Sequence, residues 1–162
     1  MTQAMGRCAE EIRGCWLQSD SALKEGDTER ANRAFGRVFE LVDSFPAIEA
    51  ADVRTLQLLG ILTWVKVAAA LEATGQDEEA REAQVQAFTM LDDMYGDEEQ
   101  DAAAGTPAQD ITEGLASEES VDLVGRLYLL CSKAGRKDSL RWGRCFMDLD
   151  LKVHGENPRS LN

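Results

Sequence analysis

The sequence predicts an all-α protein of about six helices, arranged as three antiparallel helical hairpins. Only 3 of its 162 residues are proline and 6% are aromatic, which suits helices better than a β-sandwich. Long runs of Ala, Leu, Glu, Gln and Arg favour helices, because these side chains lose little entropy there. In addition, no segment shows the alternation and turn spacing of paired strands.

The first hairpin is expected over residues 3–46. Small and apolar side chains recur at three- and four-residue spacing up to about residue 25. Gly26 then ends the first helix, since glycine tolerates the left-handed backbone found at helix ends. Asp27 or Thr28 is expected to cap the second helix, and Pro46 ends it.

The second hairpin is expected over residues 50–96 and begins with the most apolar helix of the chain. Residues 56–71 are apolar on every side, which is typical of a buried helix. This stretch is shorter than the roughly 20 residues of a membrane span and contains Lys66, so a core helix is favoured. Asp77 is expected to cap the fourth helix, which ends near residues 95–96.

The third hairpin is expected over residues 117–154, after an acidic and flexible linker at 97–116. Ser117 or Ser120 starts the fifth helix and Gly135 ends it. The sixth helix runs from about Asp138 to His154. Its expected core side chains are Leu140, Phe146, Met147, Leu149 and Val153. Residues 1–162 are expected to form a single domain.

The charge of the chain is strongly acidic and uneven. The net charge is −13, and residues 72–122 hold sixteen acidic residues against one basic residue, Arg81. Because an acidic surface repels nucleic acid and anionic membrane, neither is expected as a partner. Two basic stripes are expected to be solvated faces, although either could hold a phosphate or an acidic partner. They are Arg30, Arg33 and Arg37 on the second helix and Lys137, Arg141 and Arg144 on the sixth.

The four cysteines are expected to be reduced core residues of a cytoplasmic protein. They form no Cys-x-x-Cys pair, so neither a zinc site nor a redox site is expected. No histidine-pair metal motif occurs either, and neither a metal nor another cofactor is expected. The single histidine, His154, has no neighbouring Ser or Cys in a recognisable turn and is expected to help end the sixth helix. No glycine-rich phosphate loop occurs, and an enzyme is therefore not expected.

A similar turn recurs between the two helices of each hairpin. Each turn glycine is followed five residues later by a small or apolar residue, which lets the second helix cross close to the first. These positions are Ala31 after Gly26, Ala80 after Gly75 and Leu140 after Gly135.

In these turns the chain resembles the tetratricopeptide repeat family, over roughly residues 5–154 without the linker. The second hairpin carries the motif best, with Trp64, Ala68, Leu71, Gly75, Ala80 and Ala87. The turn glycines are 49 and 60 residues apart. The family period is about 34 residues. The helices are therefore longer or the linker interrupts the stack, and a plain six-helix bundle is the alternative to an α-solenoid.

The resemblance implies a non-catalytic adaptor, scaffold or chaperone-like module that binds a peptide or helix segment of a partner protein in a groove. The first helices of the hairpins would line this groove. The positions carried over are Arg13, Trp16, Asp20, Lys24, Leu62, Val65, Ala69, Gly125, Leu129 and Lys133. The alternative to the groove is that Leu62, Val65 and Leu129 are core residues. The alternative function is a self-associating structural or regulatory bundle, such as a homodimer, that uses exposed parts of the central helix at residues 56–71.

Overall fold

The computed structural model describes residues 2–95 and 117–155. Within them the chain forms six α-helices and no strand, which confirms the all-α prediction. The helices are α1 (Gln3–Lys24), α2 (Thr28–Ser44), α3 (Ala50–Ala73), α4 (Asp77–Tyr95), α5 (Glu118–Lys133) and α6 (Ser139–His154). The expected linker at 97–116 and the tail at 156–162 lie outside the described residues.

The chain divides into two compact units, Met1–Met90 and Leu91–Asn162. The first unit contains α1, α2, α3 and most of α4, and the second contains the end of α4, α5 and α6. Helices α1 and α2 pack on each other, as do α5 and α6, which is consistent with the predicted hairpins. A single domain over 1–162 stays a prediction.

The same backbone turn follows α1, α3 and α5. Its glycine has a left-handed φ of 75° at Gly26, 79° at Gly75 and 69° at Gly135. The N–H of the glycine donates to the carbonyl oxygen three residues before the glycine. The N–H of the following residue donates to the carbonyl oxygen four residues before the glycine. The N–O distances of these bonds are 2.8–3.1 Å. This pair of bonds is the Schellman motif, which satisfies carbonyls left over at a helix end. L side chains rarely adopt this φ, so the turn itself requires glycine.

Polar side chains cap the N-termini of α2 and α5, as expected. Asp27 accepts a hydrogen bond from the backbone N–H three residues on at 3.1 Å, and Ser117 does the same at 3.2 Å. Asp77 differs from the prediction, because it is the first residue of α4 and not its cap. The Gln76 carbonyl accepts the first helical N–H at 3.0 Å.

Helix α3 forms the core of the first unit. Leu58, Leu59, Ile61 and Leu62 are 0% exposed, and α3 contacts both α1 and α2. Full burial of such a side chain contributes about 1.5–3 kcal/mol. The apolar residues on every side of α3 are therefore explained by helices that cover more than one of its faces.

Helix α4 packs on α3 within the first unit. The alanines Ala80, Ala83 and Ala87 are buried on its inner face. A Cβ added to Gly60 of α3 would lie 2.9 Å from the Met90 methyl group, so the Met90 side chain of α4 packs over this glycine.

Helices α5 and α6 cross closely in the second unit. A Cβ on Gly125 would lie 2.9 Å from Cε2 of Phe146, and one on Gly143 would lie 3.1 Å from Cε1 of Tyr128. These two contacts fix the antiparallel register of the hairpin, with an aromatic ring of each helix over a glycine of the other.

Helix α6 starts within one residue of the predicted position, but it starts farther from its turn glycine than α2 and α4 do. Helices α2 and α4 begin two residues after their turn glycine, whereas α6 begins four residues after Gly135. The extra residues form a turn in which Arg136 Nε donates to Asp138 Oδ1 at 3.0 Å. Leu140 therefore takes the second helical position, whereas Ala31 and Ala80 take the fourth.

The core assignment of two α6 residues was wrong for this reason. Leu140 is 71% exposed, and Met147, seven residues later on the same face, is 64% exposed. Of the other expected core residues, Leu149 is fully buried and Phe146 and Val153 are partly buried.

The four cysteines are free and buried, as expected of core residues. Burial raises the pKa of the Cys131 and Cys145 thiols to about 12. Burial also raises the pKa of Cys8 and Cys15. The folded chain therefore holds its thiols protonated at neutral pH.

Candidate partner-binding surface

Three side chains predicted to line a groove are core residues of the first unit. Trp16, Leu62 and Val65 are each at most 1% exposed. The Trp16 indole lies against α3, where its Nε1 donates to Thr63 Oγ1 at 2.9 Å. A partner could reach these side chains only by opening the core, which agrees with the core alternative for Leu62 and Val65.

The other predicted residues of the first unit lie nearer the surface. Arg13, Asp20 and Ala69 are partly buried, and Lys24 is exposed. Asp20 Oδ1 forms an ion pair with Nζ of Lys66 at 2.7 Å. Lys66 was not among the predicted residues. It is the one charged residue in the apolar stretch 56–71, and this isolated charge could have indicated that it has a charged partner.

The remaining predicted residues lie on α5, in the second unit. Leu129 is 64% exposed and Lys133 is exposed, whereas Gly125 is covered by the Phe146 ring. The core alternative therefore does not describe Leu129. Leu129 and Lys133 are the predicted residues that the second unit presents to solvent.

The second unit also exposes an apolar face that the sequence did not predict. Leu140, Met147 and Leu151 of α6 are 71%, 64% and 57% exposed. They are seven and four residues apart, so at about 100° per residue they lie on one face of the helix. We call these three residues the α6 outer face.

Helix α6 is apolar on two opposite sides. Trp142, Cys145 and Leu149 are 0% exposed and lie about 180° around the helix from the α6 outer face. A surface helix normally places charged or polar residues opposite its buried side. A helix that buries one side needs apolar residues only on that side. The additional apolar residues Leu140, Met147 and Leu151 are therefore the feature of the sequence that could have revealed the α6 outer face.

Two side chains of opposite charge lie along one edge of the α6 outer face. Arg144 and Asp148 are both exposed and lie four residues apart, which is the spacing of a local ion pair. Neither forms an ion pair with any residue in the described ranges 2–95 and 117–155. Their charges stay available on one edge of the face.

The C-terminal end of α6 is linked to the start of α5 through His154. Its Nδ1 lies 2.7 Å from Oδ1 of the buried Asp150, and its Nε2 lies 3.5 Å from Oε1 of Glu118. The hydrogen bond to Asp150 raises the pKa of His154 above its usual 6.5; the opposing effect of burial is smaller, and Glu118 also acts to raise it. The protonated imidazole is therefore the form that the folded chain favours.

We expect the second unit to become less stable as the pH rises past the folded pKa of His154. Because folding raises this pKa, the stabilisation is fully present below the unfolded value of 6.5 and is lost at higher pH. Urea unfolding of the wild type and of His154→Gln, from pH 5 to pH 8.5, measures the difference between the two midpoints. A difference that is constant over this range would contradict the prediction.

Two observations on the described residues concern metal binding and the reactivity of the cysteines. In residues 2–95 and 117–155 there is no group of three or more His, Cys, Asp or Glu that could hold a metal ion. The thiolate is the nucleophilic form of cysteine, and the raised pKa values of Cys131 and Cys145 disfavour it.

Helix α3 is, among the described residues, the one helix long and apolar enough to cross a membrane. In its most apolar window, 50% of the residues are buried inside the protein. Core helices pass the same test of length and composition, and the packing of α3 on α1 and α2 covers part of its apolar surface.

No protein-family model, curated protein or solved structure matches the chain. The geometry defines the class as an all-α protein of helical hairpins that exposes an apolar helix face.

Proposed function

We propose that the chain is a non-catalytic protein–protein interaction module, and that its α6 outer face binds an apolar helix or peptide of a partner. The observation that carries this proposal is the second apolar side of α6. Three large side chains, each more than half exposed, follow one another along a single helix face. Contact with a complementary helix would remove them from water and is a known mode of peptide recognition.

We also propose that the hairpins stack in the manner of tetratricopeptide repeats, as a short α-solenoid. Three turns with the same pair of backbone hydrogen bonds support this arrangement, and so does the burial of Ala31 and Ala80 at the fourth position of their helices. In the first unit, α3 contacts both helices of the preceding hairpin, as a stacked repeat requires. A six-helix bundle is the alternative.

Site-specific photo-crosslinking in the native cell tests the binding surface. A photoreactive amino acid placed at Leu140 or at Met147 is expected to form a covalent adduct with a protein. Val85 of α4 is 57% exposed and provides a matched control position, where no adduct is expected.

A second substitution shows whether an adduct depends on the face. Leu151→Asp introduces a charge at the end of the α6 outer face and is expected to abolish the adduct formed from Leu140. The proposed binding surface would be overturned if neither Leu140 nor Met147 formed an adduct. It would also be overturned if adducts formed equally from Val85.

A further inference from the structure

We propose that the α6 outer face binds a second copy of this chain, with the two α6 helices antiparallel about a two-fold axis beside Phe146. This inference rests on the proposed function, because it names the partner of the same face. It follows from two properties of the helix: its apolar side chains and its flanking charges are each arranged symmetrically about the middle of α6.

The apolar side chains are self-complementary in this arrangement. Leu140 and Leu151 are eleven residues apart, and the point midway between them lies next to Phe146. In an antiparallel pair, each position faces the position equally far beyond the axis in the other copy. Leu140 of one copy therefore meets Leu151 of the second copy at both ends, and Met147 meets its own counterpart near the axis.

The flanking charges match about the same axis. Arg144 and Asp148 lie two residues before and two residues after Phe146, on the same edge of the face. In the antiparallel pair, Arg144 of one copy lies level with Asp148 of the second copy, and the symmetry makes this contact twice. Both side chains are exposed, and neither has an ion-pair partner among the described residues.

The size and charge of the surface predict a weak and reversible dimer. A standard interface buries roughly 800 Å² per partner, more than a face with three large apolar side chains supplies. The net charge of −13 opposes association, but residues 117–155 hold seven Lys or Arg against six Asp or Glu. At about 0.15 M salt the Debye length of about 8 Å screens more distant repulsion.

Sedimentation velocity on the full chain tests the dimer and its register. Between about 5 µM and about 500 µM the wild type is expected to shift from monomer to dimer by mass action. Arg144→Glu places a carboxylate opposite Asp148 of the second copy, and Asp148→Arg places a guanidinium opposite Arg144. Each variant is expected to dimerise at least tenfold more weakly than the wild type.

An equimolar mixture of the two variants is the decisive sample. In a mixed pair, both cross-helix contacts again join opposite charges, so the mixture is expected to dimerise about as well as the wild type. Arg33→Glu on α2 and Glu82→Arg on α4 make the same charge changes at exposed positions elsewhere. These controls are expected to dimerise like the wild type.

Several results would overturn the inference. The first is a wild type that stays monomeric at all concentrations tested, and the second is a dimer whose affinity neither α6 charge variant lowers. The others are a mixture of the two variants that does not dimerise like the wild type, and control variants whose dimer affinity falls as much as that of the α6 variants. If the wild type stays monomeric while Leu140 still crosslinks to a different protein, the inference fails and the proposed function stands. If Leu140 and Met147 form no adduct at all, the proposed function fails as well.

Discussion

Replacement of Trp16 by alanine is expected to destabilise the first unit by about 3–5 kcal/mol. Trp16 is fully buried, and its Nε1 donates to Thr63 Oγ1 at 2.9 Å. The substitution removes the ring from the contact between α1 and α3 and leaves a cavity that a close-packed core cannot fill. The Thr63 hydroxyl still donates to the Leu59 carbonyl at 2.7 Å, so the loss is mainly one of packing.

Urea unfolding followed by circular dichroism measures the effect, and two variants separate its causes. Thr63→Val removes the acceptor and leaves a buried indole N–H, which is expected to cost about 1–3 kcal/mol. Leu17→Ala changes the neighbouring residue, which is 60% exposed, and serves as the control. Its cost is expected to be within about 0.5 kcal/mol. If Trp16→Ala unfolded at the same midpoint as this control, Trp16 would lie in an open groove and not in the core.

Replacement of Leu62 by aspartate is expected to unfold the first unit, whereas Leu129→Asp is expected to leave the fold intact. Leu62 is 0% exposed, and a carboxylate there would be buried without a partner, which costs more than about 4 kcal/mol. Leu129 is 64% exposed, so its aspartate would be hydrated and change stability by within about 0.5 kcal/mol.

The two variants share one chemical change and both positions belong to the predicted partner-binding set, so they form a matched pair. Thermal melting followed at 222 nm distinguishes them, and Leu62→Met, which keeps an apolar side chain of similar volume, shows whether the charge is responsible. A cooperative, wild-type-like melt of Leu62→Asp would mean that water reaches this side of α3.

The helices and their turns could be predicted because their signals are local. A glycine with φ near 75° is needed wherever the Schellman bonds form, so Gly26, Gly75 and Gly135 mark the ends of α1, α3 and α5 in the sequence itself. The caps Asp27 and Ser117 act on an N–H three residues away. Such features depend on few residues and can be identified without knowledge of the packing.

Which face of a helix is exposed could not be predicted in the same way. Trp16 is buried because α3 lies against it, and that contact spans 47 residues of sequence. Leu140 is exposed because the Arg136–Asp138 turn delays α6 by two residues, which rotates its apolar positions relative to the first two hairpins. An alignment of the three hairpins at their turn glycines assumes that the second helix of each hairpin begins at the same distance from the glycine.

The distribution of the cysteines gives each unit its own chemical reporter of opening. Cys8 and Cys15 lie in the first unit, and Cys131 and Cys145 lie in the second. Because all four thiols are buried and held protonated, an alkylating reagent modifies them only when the surrounding helices separate. Mass spectrometry of the modified peptides then gives a separate alkylation rate for each unit, and these rates show whether the units open together or independently.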